Sequence, residues 1–201
     1  MVPASGRQFR LLIGAGVEQK EERSGRIPEP IERGPTETHA QPIMKPRKSW
    51  SQKLSDSKGL PRVERIEGRM TQRWGAGTVV IPAPREVDEL MRRVPKGKLT
   101  TINELRAALA RKHGTTIGCP ITTGIFAWIA AHAAEEALAA GRKRITPYWR
   151  TLKEGGELNP KYPGGLASLK QRLVAEGQKV ISRGQRAFVA DHERKLFTFA
   201  R

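Results

Sequence analysis

Apolar residues recur with helical spacing only in the second half of the chain. Val87, Leu90, Met91 and Val94 fall at i, i+3, i+4 and i+7, so residues 85–94 are predicted as a helix with one buried face. Pro95-Lys96-Gly97-Lys98 is a basic turn, and Thr101-Ile102-Asn103-Glu104 reads as a capping box. The helix it opens would bury Ile102, Leu105, Ala108 and Leu109 and stop at Gly114. A third helix is expected over roughly Pro120–Ala140, with proline at its first turn and Gly141 just past its end. Ile121, Ile125, Phe126, Trp128 and Ile129 surround its N-terminal half, which predicts burial there. A further short helix would bury Leu166, Leu169, Leu173 and Val174 and end at Gly177. Lys179–Ser182 and Arg186–Ala190 are β-prone runs separated by Arg183-Gly184-Gln185, a hairpin or wing.

The first half is less regular. Residues 1–48 are rich in Pro, Gly, Glu and Arg without a sustained apolar period, which predicts a disordered basic tail. Met44, followed by Lys45-Pro46-Arg47-Lys48, is an alternative start of the chain. Residues 49–84 carry sparse apolar positions and read as helical pieces broken at Gly59-Leu60-Pro61, then a β-prone Thr78–Ile81 ended by Pro82. They form an extension packed on a domain spanning 85–201. Two helices joined by a short glycine-containing turn, followed by a hairpin, predict an α+β, mostly α, winged-helix-like fold.

Charge narrows the function. The 201 residues carry 37 Lys+Arg and 20 Asp+Glu, a net +17 that points to a polyanion such as nucleic acid. Residues 94–201 hold 19 basic and 8 acidic side chains, so the excess sits on the half with helical grammar. One cysteine excludes an intramolecular disulfide framework, and four scattered histidines give no zinc-like spacing. No apolar run approaches the roughly 20 residues that span a bilayer. Leu11–Val17 follows Arg7 and Arg10 but is short, holds two glycines and lacks a small-residue cleavage site. A cytoplasmic, nucleoid-associated protein is expected.

Three motifs in order carry a resemblance. Val94-Pro95-Lys96-Gly97-Lys98-Leu99-Thr100-Thr101 precedes the helix-turn-helix; Pro147-Tyr148-Trp149-Arg150 and Tyr162-Pro163-Gly164-Gly165-Leu166 follow it, the last continuing to Leu173-Val174-Ala175-Glu176-Gly177. Over residues 85–181 this resembles the DNA-binding domain of the O6-alkylguanine-DNA alkyltransferase family. In that family the second motif is Pro-Cys-His-Arg: the Cys accepts the alkyl group, and the His relays a proton to the Glu matched by Glu176. Tyr148 and Trp149 stand where the Cys and His would be. A phenol with a pKa of about 10 is protonated and weakly nucleophilic near neutrality, and indole N–H only donates. Ile102 replaces a tyrosine that helps rotate the target nucleotide, and the helix 120–140 holds no arginine to fill the gap. The chain is similar to the alkyltransferase-like proteins, which lack the Cys and flag the alkylated base for repair, although that group usually keeps the His.

The resemblance implies non-catalytic binding of double-stranded DNA at alkylated or damaged bases, with a repair protein as a further partner. It requires no cofactor, metal, membrane or second copy. Tyr148, Trp149, Arg150, Tyr162, Gly164 and Gly165 would surround the base. Stacking on an aromatic ring is worth about 1–3 kcal/mol per base. The competing reading is that Trp149 plugs a vestigial pocket, Tyr148 caps a core edge, and the Tyr162 loop is a turn aiming the next helix. Lys96, Lys98, Thr100, Thr101, Thr122, Thr123, Arg142, Lys143 and Arg144 would face the backbone. Five neutralised phosphates would give a log K against log salt slope of roughly −4.5. Two rival functions remain. One is an enzyme of the alkyltransferase type using Cys119, at a helix start where the dipole favours a thiolate. The other is a DNA or RNA binder indifferent to lesions.

Overall fold

The computed structural model describes residues 47–200. The expected disordered tail over 1–48 and the alternative start at Met44 lie outside the described residues, except for Arg47 and Lys48. The elements are α1 Trp50–Ser55, β1 Arg62–Arg65, α2 Arg69–Trp74, β2 Thr78–Ile81, α3 Pro84–Arg93, β3 Thr100–Thr101, α4 Ile102–His113, β4 Ile117–Gly118, α5 Pro120–Ala139, β5 Thr151–Leu152, α6 Gly165–Ala175, β6 Val180–Arg183 and β7 Arg186–Val189. Single 3₁₀ turns cover Tyr148–Arg150, Glu154–Gly156 and His192–Lys195. The fold is α+β and mostly helical, with three small sheets.

Helix α5 is the centre, and α3, α4 and α1 pack around it. Its buried residues are Thr123, Ala127, Ala130, Ala131, Ala133 and Ala134. Small side chains let the neighbouring helices approach closely. The bulk comes from Val87, Met91, Leu105 and Leu109 of α3 and α4, all fully buried. This corrects the expectation for α5: Ile121 and Ile125 are 59% and 48% exposed. Val174, expected in the core, is 53% exposed at the end of α6, whereas Leu169 and Leu173 are buried.

The turns follow from local chemistry. The Thr101 hydroxyl accepts from the Glu104 N–H at 3.2 Å, starting α4, which stops at Gly114 in the left-handed conformation that glycine adopts without strain. Only this half of the expected box forms. The reciprocal arrangement appears at α3, where the Glu86 carboxylate accepts from the Ala83 N–H at 3.0 Å. Glu86 also takes Lys112 at 2.6 Å and His113 at 2.9 Å, tying the start of α3 to the end of α4. Burial alone would raise the Glu86 carboxyl, but the Lys112, Ala83 and His113 contacts hold it below its ordinary value.

Residues 62–65 form a strand, not part of a helix: β1 pairs antiparallel with β2, with Val63 opposite Val80, and β2 pairs parallel with β4. Ile66, Val79 and Cys119 form a second, small core there, joined by Trp74, Ile81 and Ile117. β3 and β5 pair in parallel, with Thr100 opposite Thr151, and hold Thr151 and Leu152 beside the start of α4. β6 and β7 form the expected hairpin, with Arg183 opposite Arg186.

A candidate DNA-binding face beside a filled pocket

Helices α4 and α5 are joined by a turn that Arg106 clamps. Its Nε donates to the Gly118 carbonyl at 3.1 Å and its Nη1 to Asn103 Oδ1 at 3.0 Å. The turn fixes the start of α5, and one stripe of α5 is left facing outward. Ile121, Gly124, Ile125, Trp128 and His132 lie along it at helical spacing and line a groove of about 920 Å³. Ile102 closes one side, and Lys153, Asn159, Pro160 and Lys161 form the other. The loop is held to the helix: Trp128 Nε1 donates to the Lys161 carbonyl at 2.9 Å, and the Lys161 N–H donates to Asn159 Oδ1 at 3.1 Å. At the far end, Trp50 of α1 stacks on His132 with centroids 4.3 Å apart and meets Trp128 edge-on at 4.7 Å. Burial and the nearby Lys53 ammonium hold the His132 imidazole below its ordinary value.

Of the residues expected around a base, Tyr148 and Tyr162 lie in the core. Tyr148 is fully buried and Tyr162 is 3% exposed; their rings meet edge-on at 5.7 Å. Tyr148 donates its hydroxyl to Glu135 Oε1 of α5 at 2.9 Å, and Arg172 of α6 donates to the same oxygen at 2.7 Å. Burial and the Glu135 hydrogen bond push the Tyr148 phenol above its ordinary value, so it stays protonated. Burial does the same to Tyr162, whose hydroxyl has no hydrogen-bond partner among the described residues. Neither ring offers a free face for stacking as placed, and the burial of Tyr148 accords with the competing reading in which it packs at a core edge.

Trp149 and Arg150 turn the other way. Trp149 Nε1 donates to Glu176 Oε1 at 2.9 Å, and Arg150 grips Glu176 through Nε at 2.8 Å and Nη2 at 2.6 Å. A third Arg150 donor reaches the Val94 carbonyl at 2.7 Å, so each guanidinium nitrogen has an acceptor. Burial would raise the Glu176 carboxyl, but Arg150 and Trp149 hold it below its ordinary value. Glu176 is thus a structural acceptor joining α6 to the Tyr148–Arg150 turn. Gly164 and Gly165 make the turn into α6 at φ of 73° and 61°; a Cβ on Gly164 would sit 2.5 Å from Ser168 Cβ.

The expected backbone contacts divide. Thr100, Thr101 and Thr123 are buried; Thr101 caps α4, and Thr123 donates to the Cys119 carbonyl at 2.7 Å. Burial corrects their expected reach to phosphate. Thr122 Oγ1 is enclosed without a partner among the described residues. Lys96, Lys98, Arg142, Lys143 and Arg144 are exposed, yet none lines the α5 groove. Gln178 donates to the Gly97 carbonyl at 3.0 Å, so the Lys96–Lys98 turn sits against the end of α6. Arg142–Arg144 lie past the C-terminal end of α5, a helix about 30 Å long.

Cys119 is 6% exposed and packs in the small apolar core beside Ile66 and Val79, which closes it to a DNA substrate. No cluster of three metal-ligating side chains occurs among the described residues, and no helix among them is long and apolar enough to cross a membrane. Ile102, Trp128, Lys153, Asn159 and Lys161 are groove residues that sequence reasoning missed as site residues. The sole signal was an apolar helix too hydrophobic all round to be entirely buried by its neighbours.

No protein-family model matches the chain, and no curated protein matches it. Two solved structures resemble it. S. pombe Atl1 in complex with damaged DNA containing O6-carboxymethylguanine is 17% identical, with a TM-score of 0.42 over 57% of this chain and 94% of that one. S. pombe ATL in complex with DNA is 18% identical, with a TM-score of 0.43 over the same shares of the two chains. Both likenesses are loose in sequence and in superposition.

Proposed function

We propose that this protein binds double-stranded DNA without transferring an alkyl group, using the outward stripe of α5 as its groove-facing surface. The observation that carries the reading is the exposure of Ile121 and Ile125 on the second helix of a helix-turn-helix, rimmed by Lys153 and Lys161. Two large aliphatic side chains left in water on one helix face mark an interaction surface. Their setting in a strongly basic chain makes the partner a polyanion. Lys161 reaches phosphate across the groove, whereas Lys153 is paired with Glu157 at 2.6 Å; Lys96, Lys98 and Arg142–Arg144 add to the attracting field. Catalysis is disfavoured because Tyr148 is buried and protonated and Cys119 is enclosed.

Recognition of an altered base, which the family resemblance implies, falls on this groove instead of on Tyr148 and Tyr162. Trp128, Ile102 and the Asn159–Lys161 loop offer an apolar wall with polar edges. A second reading has a specific observation in its favour: with Tyr148 and Tyr162 packed together, the ancestral pocket is filled, and the protein binds duplex regardless of damage. Titration against one duplex with and without a single O6-methylguanine decides between them. Tighter binding of the modified duplex, lost on Trp128→Ala, supports lesion recognition. Equal binding supports the second reading, and binding of neither overturns both.

A further inference from the structure

We propose that a concave basic patch beyond the C-terminal end of α5 docks an acidic peptide segment of a partner protein, on a surface separate from the α5 groove. The hollow has a volume of about 370 Å³ and is lined by Arg92, Lys143, Arg144, Ile145, Pro147, Trp149 and Arg150. It shares no lining residue with the groove.

The backbone carrying the charges is fixed on both sides. The Gly141 and Arg142 N–H groups donate to the Leu138 and Ala137 carbonyls at 2.9 and 3.0 Å, closing the end of α5. Four residues after Arg142, buried Thr146 hydrogen-bonds buried Asp88 of α3, which also pairs with Arg92 at 2.8 Å. Lys143 and Arg144 therefore project from a short bridge with two anchored ends. Both are exposed, and neither forms an ion pair among the described residues. Arg92 and Arg150 are already neutralised by Asp88 and Glu176, so the rim cations supply the unspent charge.

The floor decides the class of partner. Ile145, Pro147 and Trp149 are apolar, and Trp149 is held rigidly by Glu176 at its N–H, with the Arg172 guanidinium 4.7 Å from its ring. Tryptophan and arginine in a fixed, partly enclosed setting are the residues that dominate protein interfaces. A duplex backbone presents phosphates and sugar edges, with no large apolar side group to fill such a hollow. A peptide with carboxylates beside phenylalanine or leucine supplies both features.

The test uses the full-length protein and a fluorescein-labelled dodecapeptide of alternating Glu and Asp with two central phenylalanines, followed by anisotropy. The parent is expected to bind it, and Lys143→Glu/Arg144→Glu to weaken it at least tenfold with an unchanged Tm. Replacing the phenylalanines by alanine is expected to weaken it several-fold. Lys170→Glu/Lys179→Glu, the same charge change elsewhere, is expected to leave it within twofold. Saturating duplex is expected not to displace the peptide, and Ile125→Glu to lose duplex but keep peptide. Equal weakening by the two double variants, or competitive displacement by duplex, overturns the proposal. Loss of duplex binding alone in Lys143→Glu/Arg144→Glu also overturns it and makes the patch a phosphate surface. Failure of duplex binding throughout, with peptide binding intact, counts against the DNA reading and leaves this one standing.

Discussion

Tyr148 serves packing: its hydroxyl lies on Glu135 and its ring against Tyr162. Tyr148→Phe keeps the ring and removes one hydrogen bond, while Arg172 continues to satisfy Glu135. Urea unfolding should show a loss of about 1 kcal/mol, with duplex affinity unchanged. A large loss of affinity would mean that the hydroxyl meets DNA. Cys119 belongs to the same scale. Buried beside Ile66 and Val79, it should react with a thiol reagent much more slowly in the native protein than in denaturant. Equal rates would put it back at the surface. That Tyr148-Trp149 depart from the Pro-Cys-His-Arg motif of the family the chain resembles was plain in the sequence. Where those two rings point was not, because packing against α5 and α6 chooses their rotamers.

Helix α5 marks the limit of pattern reading. Its ends, its proline start and its length were legible from Pro120 and Gly141. The inward side was not, because apolar residues occur all round it. The rule that bulky aliphatics go inside ranked Ile121 and Ile125 above alanine. The structure reverses this because α3 and α4 already supply Met91, Leu105 and Leu109, and only alanine fits between them. The hairpin and the Thr101 cap of α4 were legible from local turn chemistry. The strand at 62–65 was not, since its partner β2 is distant in sequence and its own residues alternate poorly. The α1–α5 contact carries a prediction of its own. With its pKa held below the unfolded value near 6.5, the folded His132 resists protonation. Its contribution to stability is full above pH 6.5 and is lost as the pH falls through the folded value. Thermal unfolding from pH 8 to pH 5 should show this fall. It should shrink in Trp50→Ala, which removes the ring covering the imidazole. An identical pH profile in the variant would exclude the stack as its source.

At the scale of the whole molecule, the net +17 was visible in composition, but its distribution over the surface was not. The basic segments separate into groove lysines, the Lys96–Lys98 turn and the bridge after α5. If Lys161 alone neutralises a phosphate, because Glu157 already holds Lys153, log K should fall with log salt at a slope of about −1. A slope steeper than about −4 would mean that the cations placed elsewhere also engage the duplex. One substitution tests whether the outward stripe of α5 meets DNA. Ile125→Glu places a carboxylate on an exposed position, where stability should change by no more than about 0.5 kcal/mol. Titration of the parent and this variant against one 16-base-pair duplex should show binding weakened at least tenfold at unchanged Tm. Equal affinity in the two proteins would contradict the account.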